Sequence, residues 1–310
     1  MRVSIDAIYG SDGRAPSWQE AETYCRQLES AHILFFPLTP FELPEGDCCF
    51  LRAQERAVAA THKNVVYQPA ENRVAGLRTR DAATRERLRD VLRTYSQRVT
   101  RLVTTLLAPY AEALRVDYAS FRGEEEEGRR LQQRSRNDLL HTDAFPSRPT
   151  NGDRILRVFT NIHPTRPRRW VTTERFDRLL ETLVDTPGLP LPGARRWSWR
   201  TRRACTALAS AAGLPSARRS LYDDFMLRFH DFLKGNGEFQ IACVKQIWDF
   251  PSRSTWMALT DALPHAALSG QHALEQTFIV GREAMLLPET APINVLERLC
   301  GVTLSDPAPG

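Results

Sequence analysis

The clearest periodic pattern in the chain lies between residues 80 and 114. Apolar residues recur there every three or four positions, with arginines and acidic residues between them: Leu88, Val91, Leu92, Tyr95, Val99, Leu102 and Leu106. This spacing places the apolar side chains along one face of a helix. We therefore expect an amphipathic helix or helix pair in this region.

Shorter segments have the composition of β-strands. Residues 33–52 mix apolar runs with proline and glycine, which favours strands and turns rather than a helix. Residues 138–145 and 154–163, separated by the turn-rich SRPTNGD, are typical of a β-hairpin. Strand character returns in FQIACVKQIWDF, STWMALTD and ALEQTFIV.

A block of helical character interrupts these strands. Residues 171–234 contain ERFDRLLETLV, ACTALASAAG and YDDFMLRFHDFLK, broken by PGLPLPG and RRWSWR. We interpret the 310 residues as one domain, with a β-rich core over about residues 33–170 and 235–302 and a helical insertion at about 171–234.

Arginine carries almost all of the positive charge. The formal net charge is +5, and the 42 basic residues include just three lysines, Lys63, Lys234 and Lys245. Because the guanidinium group of arginine binds phosphate and carboxylate well, the partner could be nucleic acid, an anionic membrane surface or an acidic substrate. A GC-rich genome would give the same preference for arginine over lysine. The dispersal of the basic residues argues against a nucleic-acid binder. The run Glu124 to Glu127 is expected to form a solvated charged loop, and its proximity to the segment that follows leaves a role at the site open.

The sequence also bears on location and redox state. No stretch approaches the roughly 18 apolar residues of a membrane span, and the N-terminus lacks the apolar core of a secretory signal. We therefore expect a cytosolic protein without a transmembrane segment. The six cysteines show no CxxC spacing, which indicates neither a zinc knuckle nor a disulfide framework.

One constellation points to metal chemistry. In a strand LLHTDAF, His141 and Asp143 lie two residues apart and face the same side. His265 precedes a Ser-Gly turn and would complete a set of two histidines and one carboxylate. Such a facial triad leaves three positions of Fe(II) open for a co-substrate and dioxygen. The HxD pair alone is a weak signal, and three other histidines compete as third ligand: His163, the stronger rival, His230 and His272.

The strand RILRVFTNIH offers a cation for an acidic co-substrate. Its alternation places Arg157, Phe159 and Asn161 on one face. Arg157 could form a bidentate pair with the distal carboxylate of 2-oxoglutarate. The alternative is a structural ion pair.

Four segments, LLHTDAFPSRP, ILRVFTNIHP, TWMALTD and HAALSGQHALEQTF, together resemble the Kdo hydroxylases, which are Fe(II)/2-oxoglutarate dioxygenases, over about residues 33–302. The resemblance implies a mainly β fold with helices, built on a double-stranded β-helix (jelly-roll or cupin-like) core with flanking helices. It implies His141, Asp143 and His265 as iron ligands. It further implies hydroxylation at C3 of the Kdo sugar of Kdo-lipid A, a lipopolysaccharide precursor, at the inner leaflet of the inner membrane, with O2 and 2-oxoglutarate as co-substrates and ascorbate as a supporting reductant.

One departure concerns the co-substrate. Many 2-oxoglutarate oxygenases carry an arginine about ten residues after the distal histidine, where this chain has Glu275, Gln276 and Thr277. Arg157 is therefore the expected anchor, with Asn161 and Thr277 as helpers. Weaker candidates are Arg129, Arg134 and Arg136. The alternatives to a Kdo hydroxylase are a hydroxylase of a protein or another small molecule, and a non-catalytic cupin-like binding protein.

Overall fold

A computed structural model of the chain describes residues 15–55, 64–79, 81–129, 131–189, 191–192 and 219–306, with the backbone of residues 3–4. The helices within these ranges are α1 (Trp18–Glu29), α2 (Glu45–Ala53), α3 (Ala82–Leu106), α4 (Phe176–Leu183), α5 (Leu221–Gly235), α6 (Gly237–Ala242) and α7 (Pro292–Cys300). The strands are β1 (Val3–Ser4), β2 (Leu34–Phe36), β3 (Val65–Gln68), β4 (Arg73–Ala75), β5 (Leu114–Arg122), β6 (Arg154–Asn161), β7 (Arg168–Thr172), β8 (Gln246–Phe250), β9 (Thr255–Leu259), β10 (His265–Ser269) and β11 (Ala273–Val280).

The strands form two sheets. The larger has the order β1-β2-β9-β6-β11-β5-β3-β4, and the smaller has the order β10-β7-β8. All neighbours are antiparallel except β1 and β2. Consecutive strands of the chain often lie in different sheets, so the chain crosses repeatedly between them. This is the pattern of a jelly-roll core.

Strand β6 shows how the sheets face each other. All eight of its residues are buried, since both of its faces are covered. Leu156 and Val158 join the apolar cluster of α1 and α3, whereas Phe159 joins a second cluster on the opposite face. There the Phe159 ring lies 4.6 Å from the ring of Trp170 on β7 and 5.5 Å from that of Trp256 on β9. Arg157 has the same parity as Phe159 and therefore lies between the sheets.

Helices cover the outer face of each sheet. Helix α3 is amphipathic as its spacing predicts, and Asp81 caps its N-terminus, because the carboxylate of Asp81 accepts from the backbone N–H groups of Ala83 and Thr84. On the other side, Val171 of β7 and Ala266 of β10 share an apolar cluster with α4, α5 and α7. The prediction of a β-helix core with flanking helices is confirmed.

Three local predictions are wrong. Residues 45–53 form α2, although strands and turns are predicted there, and residues 239–242, at the start of the predicted strand FQIACVKQIWDF, belong to α6. Residues 138–145 do not pair with β6 as a hairpin; they contribute one isolated bridge, between His141 and His265. The predicted insertion at 171–234 overlaps β7, which ends at Thr172, and its ACTALASAAG and RRWSWR segments lie outside the described residues. No helix of the described ranges is long and apolar enough to span a membrane.

Candidate metal centre and its cavity

Backbone hydrogen bonds hold residues 138–145 beside β10. His141 and His265 exchange bonds in both directions, with N···O distances of 3.1 and 2.9 Å, and the Asp143 N–H donates to the Thr260 carbonyl at 2.9 Å. The side-chain amide of Gln240 in α6 bonds both the N–H and the carbonyl of Leu140. These hydrogen bonds hold the segment in place although it is not a regular strand. Its side chains still alternate, so His141 and Asp143 face the same side.

The three predicted ligand residues converge. One ligand atom from each of His141, Asp143 and His265 lies within 4.8 Å of the other two, and all three residues are buried. The Nε2 of His141 is 3.8 Å from Oδ1 of Asp143. Among the described residues, this is the one group of three or more such side chains that could hold a metal ion. His163, His230 and His272 are not part of it.

Both histidines present the same ring nitrogen. His141 Nδ1 lies 2.7 Å from the Leu139 carbonyl, and His265 Nδ1 lies 2.9 Å from the Leu263 carbonyl. A carbonyl accepts only, so each Nδ1 carries the proton and each Nε2 keeps its lone pair. Such an outer hydrogen bond is the usual way in which a metal-binding histidine is oriented.

The protonation states also suit a metal. Burial lowers the pKa of His141 well below its usual value, and His265 and Lys234 lower it further. Burial likewise lowers the pKa of His265, with Asp143 acting in the opposite direction. Burial acts to raise the pKa of Asp143, but Arg157 and the two histidines outweigh it and hold that pKa far below its usual range. Near neutral pH the site therefore offers two neutral imidazoles and a carboxylate.

Arg157 lies in the centre of an ion network. Its Nη1 donates to Asp143 Oδ2 at 2.5 Å, and its Nη2 pairs with Glu275 on β11. The other oxygen of Glu275 accepts from Arg122 on β5 at 2.6 Å. The structural ion pair that the sequence left open is thus present, and it orients a predicted ligand.

The metal group opens into a cavity of about 510 Å³. We call one wall the sheet side; it consists of Arg122, Arg157, Phe159, Arg168 and Trp170. We call the lining residues on α5 the helix side; they are Leu227, His230, Asp231 and Lys234. Further lining residues include Arg134, Ser135, Asn137 and Arg219. Basic residues outnumber acidic ones, so the cavity suits an anion.

Three buried N–H groups of the sheet side lack a hydrogen-bond partner. They are Nε of Arg157, Nε of Arg168 and Nε1 of Trp170. Unmatched buried donors are costly in a folded protein, so their clustering at one cavity indicates a ligand that accepts from them. Trp170 also stacks on His265, with ring centroids 5.0 Å apart.

The charged run of residues 124–127, which is predicted to be solvated, helps to hold Arg168 in place. Its Nη2 donates to Glu126 at 2.9 Å, and its Nη1 donates to the Gly270 carbonyl at 2.8 Å. Glu126 is 4% exposed and also contacts Arg122 and Asn137, so the prediction of a solvated loop is wrong at this position. Glu126 thus holds three residues that line the cavity, Arg122, Asn137 and Arg168.

The other predicted site residues lie apart. The Asn161 amide donates to the carbonyls of Arg166, Phe250 and Pro251, and Asn161 is absent from the cavity lining. Thr277 lies opposite Arg157 on β11 and is buried, but it does not line the cavity either. Of the weaker arginine candidates, Arg134 lines the cavity, whereas Arg129 and Arg136 pair with Glu124 and Asp138.

Sequence reasoning did not assign Arg168 or Trp170 to the co-substrate side of the cavity. Arg168 and Trp170 alternate on β7, as Arg157 and Phe159 do on β6, and that alternation was the available signal. His230 was considered only as a third ligand. Its Nδ1 instead lies 2.8 Å from the Thr142 carbonyl, and its ring packs edge-on against His141 with centroids 4.9 Å apart. Burial lowers its pKa, so it is neutral near pH 7.

Comparisons with known proteins identify the family of the chain. The family model of 3-deoxy-D-manno-oct-2-ulosonic acid (Kdo) hydroxylase matches residues 12–303. The crystal structure of the Kdo hydroxylase KdoO with α-ketoglutarate and Fe(III) superposes with a TM-score of 0.83 at 33% identity, covering 98% of this chain and 97% of that one. The cobalt(II) complex of KdoO gives a TM-score of 0.84 at 33% identity, with coverage of 98% and 97%. A comparison with curated proteins found no match. The chain belongs to the Kdo hydroxylase family.

Proposed function

We propose that the protein is an Fe(II)/2-oxoglutarate-dependent dioxygenase that hydroxylates the Kdo sugar of lipopolysaccharide at C3. The observation that supports this most directly is the convergence of His141, Asp143 and His265 in the lining of a basic cavity, in a member of the Kdo hydroxylase family. KdoO, a related protein of known structure, is described as a non-heme Fe(II) α-ketoglutarate-dependent dioxygenase.

The donor set fits ferrous iron. Two imidazole nitrogens and one carboxylate oxygen form the facial arrangement of non-heme Fe(II) oxygenases. We assign His141 Nε2, His265 Nε2 and an oxygen of Asp143 as the ligands. When bound, iron supplies the site at which dioxygen is activated. The protein contributes orientation: the Leu139 and Leu263 carbonyls fix the imidazoles, and Arg157 fixes the carboxylate.

We assign the sheet side of the cavity to 2-oxoglutarate. Both Nη groups of Arg157 are already paired with carboxylates, but its Nε is unmatched, as are Nε of Arg168 and Nε1 of Trp170. These three N–H groups could donate to a carboxylate of the co-substrate, and a charged acceptor makes each bond stronger. Arg157 therefore remains the proposed anchor, with Arg168 and Trp170 in place of Asn161 and Thr277.

The acceptor is proposed to be Kdo-lipid A, reached from the cytoplasmic face of the inner membrane. Three apolar side chains at α6 and the start of β8 are open to solvent: Ile241 is 83% exposed, Val244 77% and Ile247 61%. With Lys245 among them, they form a surface suited to peripheral contact with an anionic bilayer. Replacing Ile241 and Val244 by serine should weaken binding to vesicles containing anionic lipid, whereas Leu38→Ser, at an equally exposed site on another loop, should not.

The experiment that tests the function uses purified protein, Fe(II), 2-oxoglutarate, O2, ascorbate and Kdo-lipid A. We expect succinate to form together with a product about 16 Da heavier, with the added oxygen on Kdo, because hydroxylation inserts one oxygen atom. Asp143→Ala should remain folded and form neither product. Succinate formation that depends on a protein or another small molecule, with Kdo-lipid A unchanged, would replace the substrate assignment. Absence of iron-dependent oxygen uptake with every acceptor would contradict the enzyme assignment.

A further inference from the structure

Strand β8 forms an open edge of the smaller sheet. The strand order β10-β7-β8 leaves one side of β8 without a partner strand among the described residues. The helices that bury Val171 of β7 do not extend over Ile247, its neighbour in register on β8: Val171 is 3% exposed and Ile247 is 61% exposed. An open edge of this kind presents backbone N–H and C=O groups that can pair with a strand of another molecule.

The outer face of this edge carries two charges around an apolar residue. Trp248 and Phe250 point inward into the apolar cluster between the sheets, so alternation places Lys245, Ile247 and Asp249 together on the outer face. All three are exposed. Charges on an edge strand usually oppose pairing. These two are opposite in sign and lie two residues on either side of Ile247, so the segment is complementary to an antiparallel copy of itself.

The charges favour one register of that pairing. With Ile247 opposite its own copy, Lys245 of each chain lies opposite Asp249 of the other, in two equivalent pairs with Cβ atoms about 4.5–5.5 Å apart. Moving one strand by two residues places a charge opposite Ile247. Moving it by four places Lys245 opposite Lys245 or Asp249 opposite Asp249, and like charges repel. The pairing centred on Ile247 is therefore the favoured one.

Both charged side chains are free to make the contact while keeping their present bonds. Asp249 accepts from Nε and Nη2 of Arg169 on β7 at 2.8 and 3.0 Å, which fixes the carboxylate on the outer face. Its two oxygens have lone pairs to spare. Lys245 Nζ donates to the Gln240 carbonyl and has two further N–H groups. A cross-strand ion pair therefore adds to the bonds already present.

We propose that the protein forms a twofold dimer in which β8 of each chain pairs antiparallel with β8 of the other, centred on Ile247. Two three-stranded sheets then become one continuous sheet. The same surface of both chains is used, as twofold symmetry requires. The inference concerns assembly and does not depend on the proposed activity.

The symmetry bears on the surface proposed for membrane contact. A twofold axis that relates two adjacent antiparallel strands is perpendicular to their sheet, so the outer faces of both chains point in the same direction. Ile247 and Lys245 of each chain then lie side by side with those of the other. Two linked surfaces bind a bilayer more tightly than one, because the second attaches at a high effective concentration.

Charge reversal tests the dimer in sedimentation experiments on the full chain over a range of concentrations. The wild type should pass from the 35.2 kDa of one chain to twice that mass. Lys245→Glu and Asp249→Lys each turn both attractive pairs into repulsive ones, and each should raise the dissociation constant roughly tenfold or more. Arg73→Glu, which reverses a charge on β4 at the edge of the larger sheet, should leave the constant unchanged.

A mixture of the two variants tests the register. When Lys245→Glu pairs with Asp249→Lys, both contact points again hold opposite charges. We expect a mixed dimer with nearly the affinity of the wild type, detected by native mass spectrometry, although neither variant associates well with itself. Asp249→Lys also loses its contact with Arg169, but mixing cannot restore a contact within one chain. Recovery therefore measures the contact between chains.

Three results would overturn the proposal. The first is a wild type that keeps the mass of one chain at every concentration. The second is a dimer whose affinity neither charge reversal changes, because such a dimer uses another surface. The third is a mixture that associates no better than the separate variants. Circular dichroism of both variants should match that of the wild type, since Lys245 and Asp249 are exposed.

Discussion

Arg154 and Asp261 form an ion pair that is closed off from solvent and supports the metal site. Their side chains are 0% and 1% exposed, with Arg154 Nε 2.6 Å from Asp261 Oδ2 and Nη2 3.3 Å from Oδ1. Asp261 follows Thr260, whose carbonyl binds the Asp143 N–H, and precedes His265 in the β9–β10 connection. Removing both charges from water carries a desolvation cost, which the hydrogen bonds between the two side chains offset.

Asp261→Asn keeps the shape of the side chain and removes its charge. The guanidinium of Arg154 then remains buried without a counter-ion, which typically costs about 3–5 kcal/mol. We expect a loss near the lower limit, about 3 kcal/mol in the free energy of unfolding, because asparagine still accepts one hydrogen bond. The measurement is urea unfolding of the metal-free protein, with an unchanged m-value as the sign that the denatured state is the same.

Two further variants complete this experiment. Asp249→Asn removes the same charge from an ion pair with Arg169 that is about half exposed, and it should have a much smaller effect. Replacing Arg154 by Met and Asp261 by Leu together should be less destabilising than Asp261→Asn alone, since no isolated charge is left. A cost for Asp261→Asn no larger than that of Asp249→Asn would refute the reasoning.

Three other predictions concern the sheet side of the cavity. Burial acts to raise the pKa of Glu126, but Arg168 and Arg122 outweigh it and lower that pKa. The ionised Glu126 therefore stabilises the fold above the unfolded pKa of about 4.3, and this stabilisation is lost as the pH falls further. Glu126→Gln should make the stability depend less on pH in thermal unfolding between about pH 5 and 2. Gly270 has φ +120, and a Cβ there would lie 2.8 Å from Arg168 Cγ. Gly270→Ala should therefore lower the free energy of unfolding in urea by about 1–3 kcal/mol. Gly237→Ala should not, because the space around Gly237 is open. Trp170→Phe should weaken 2-oxoglutarate binding to the cobalt(II) protein about tenfold by removing one N–H group, and unchanged affinity would exclude Trp170 from the co-substrate site.

Side-chain periodicity predicted much of the fold correctly. The helical spacing of residues 88–106 and the apolar alternation of β6 and β11 are strong signals, because each face of these elements packs against a different layer. Helix α2 was missed because Pro44 and Gly46 lie beside a short apolar run, and proline at a helix start resembles proline in a turn.

The direction of a side chain on a strand depends on its neighbours in sequence, and it led to the prediction of the metal site. The strand with which residues 138–145 pair is remote in sequence and could not be predicted in this way. His141 and Asp143 face one side whether their segment pairs with β6 or with β10, so these two candidate ligands could be predicted despite the wrong hairpin. Asn161 shows the limit of the same rule. It shares a face with Arg157, but it lies at the far end of β6, where the carbonyls of Phe250 and Pro251 occupy its amide. Alternation gives the face of a residue and not its position along the cavity.

The reciprocal backbone bonds between His141 and His265 join two parts of the chain that are remote in sequence. A metal ion bound to both side chains would act there as a reversible cross-link, shortening the loops that an opened chain can explore. Amide hydrogen exchange at these two positions should therefore slow when metal is added. The decrease in the exchange rate would measure how much the metal ion adds to the packing of the sheets in keeping the two segments together.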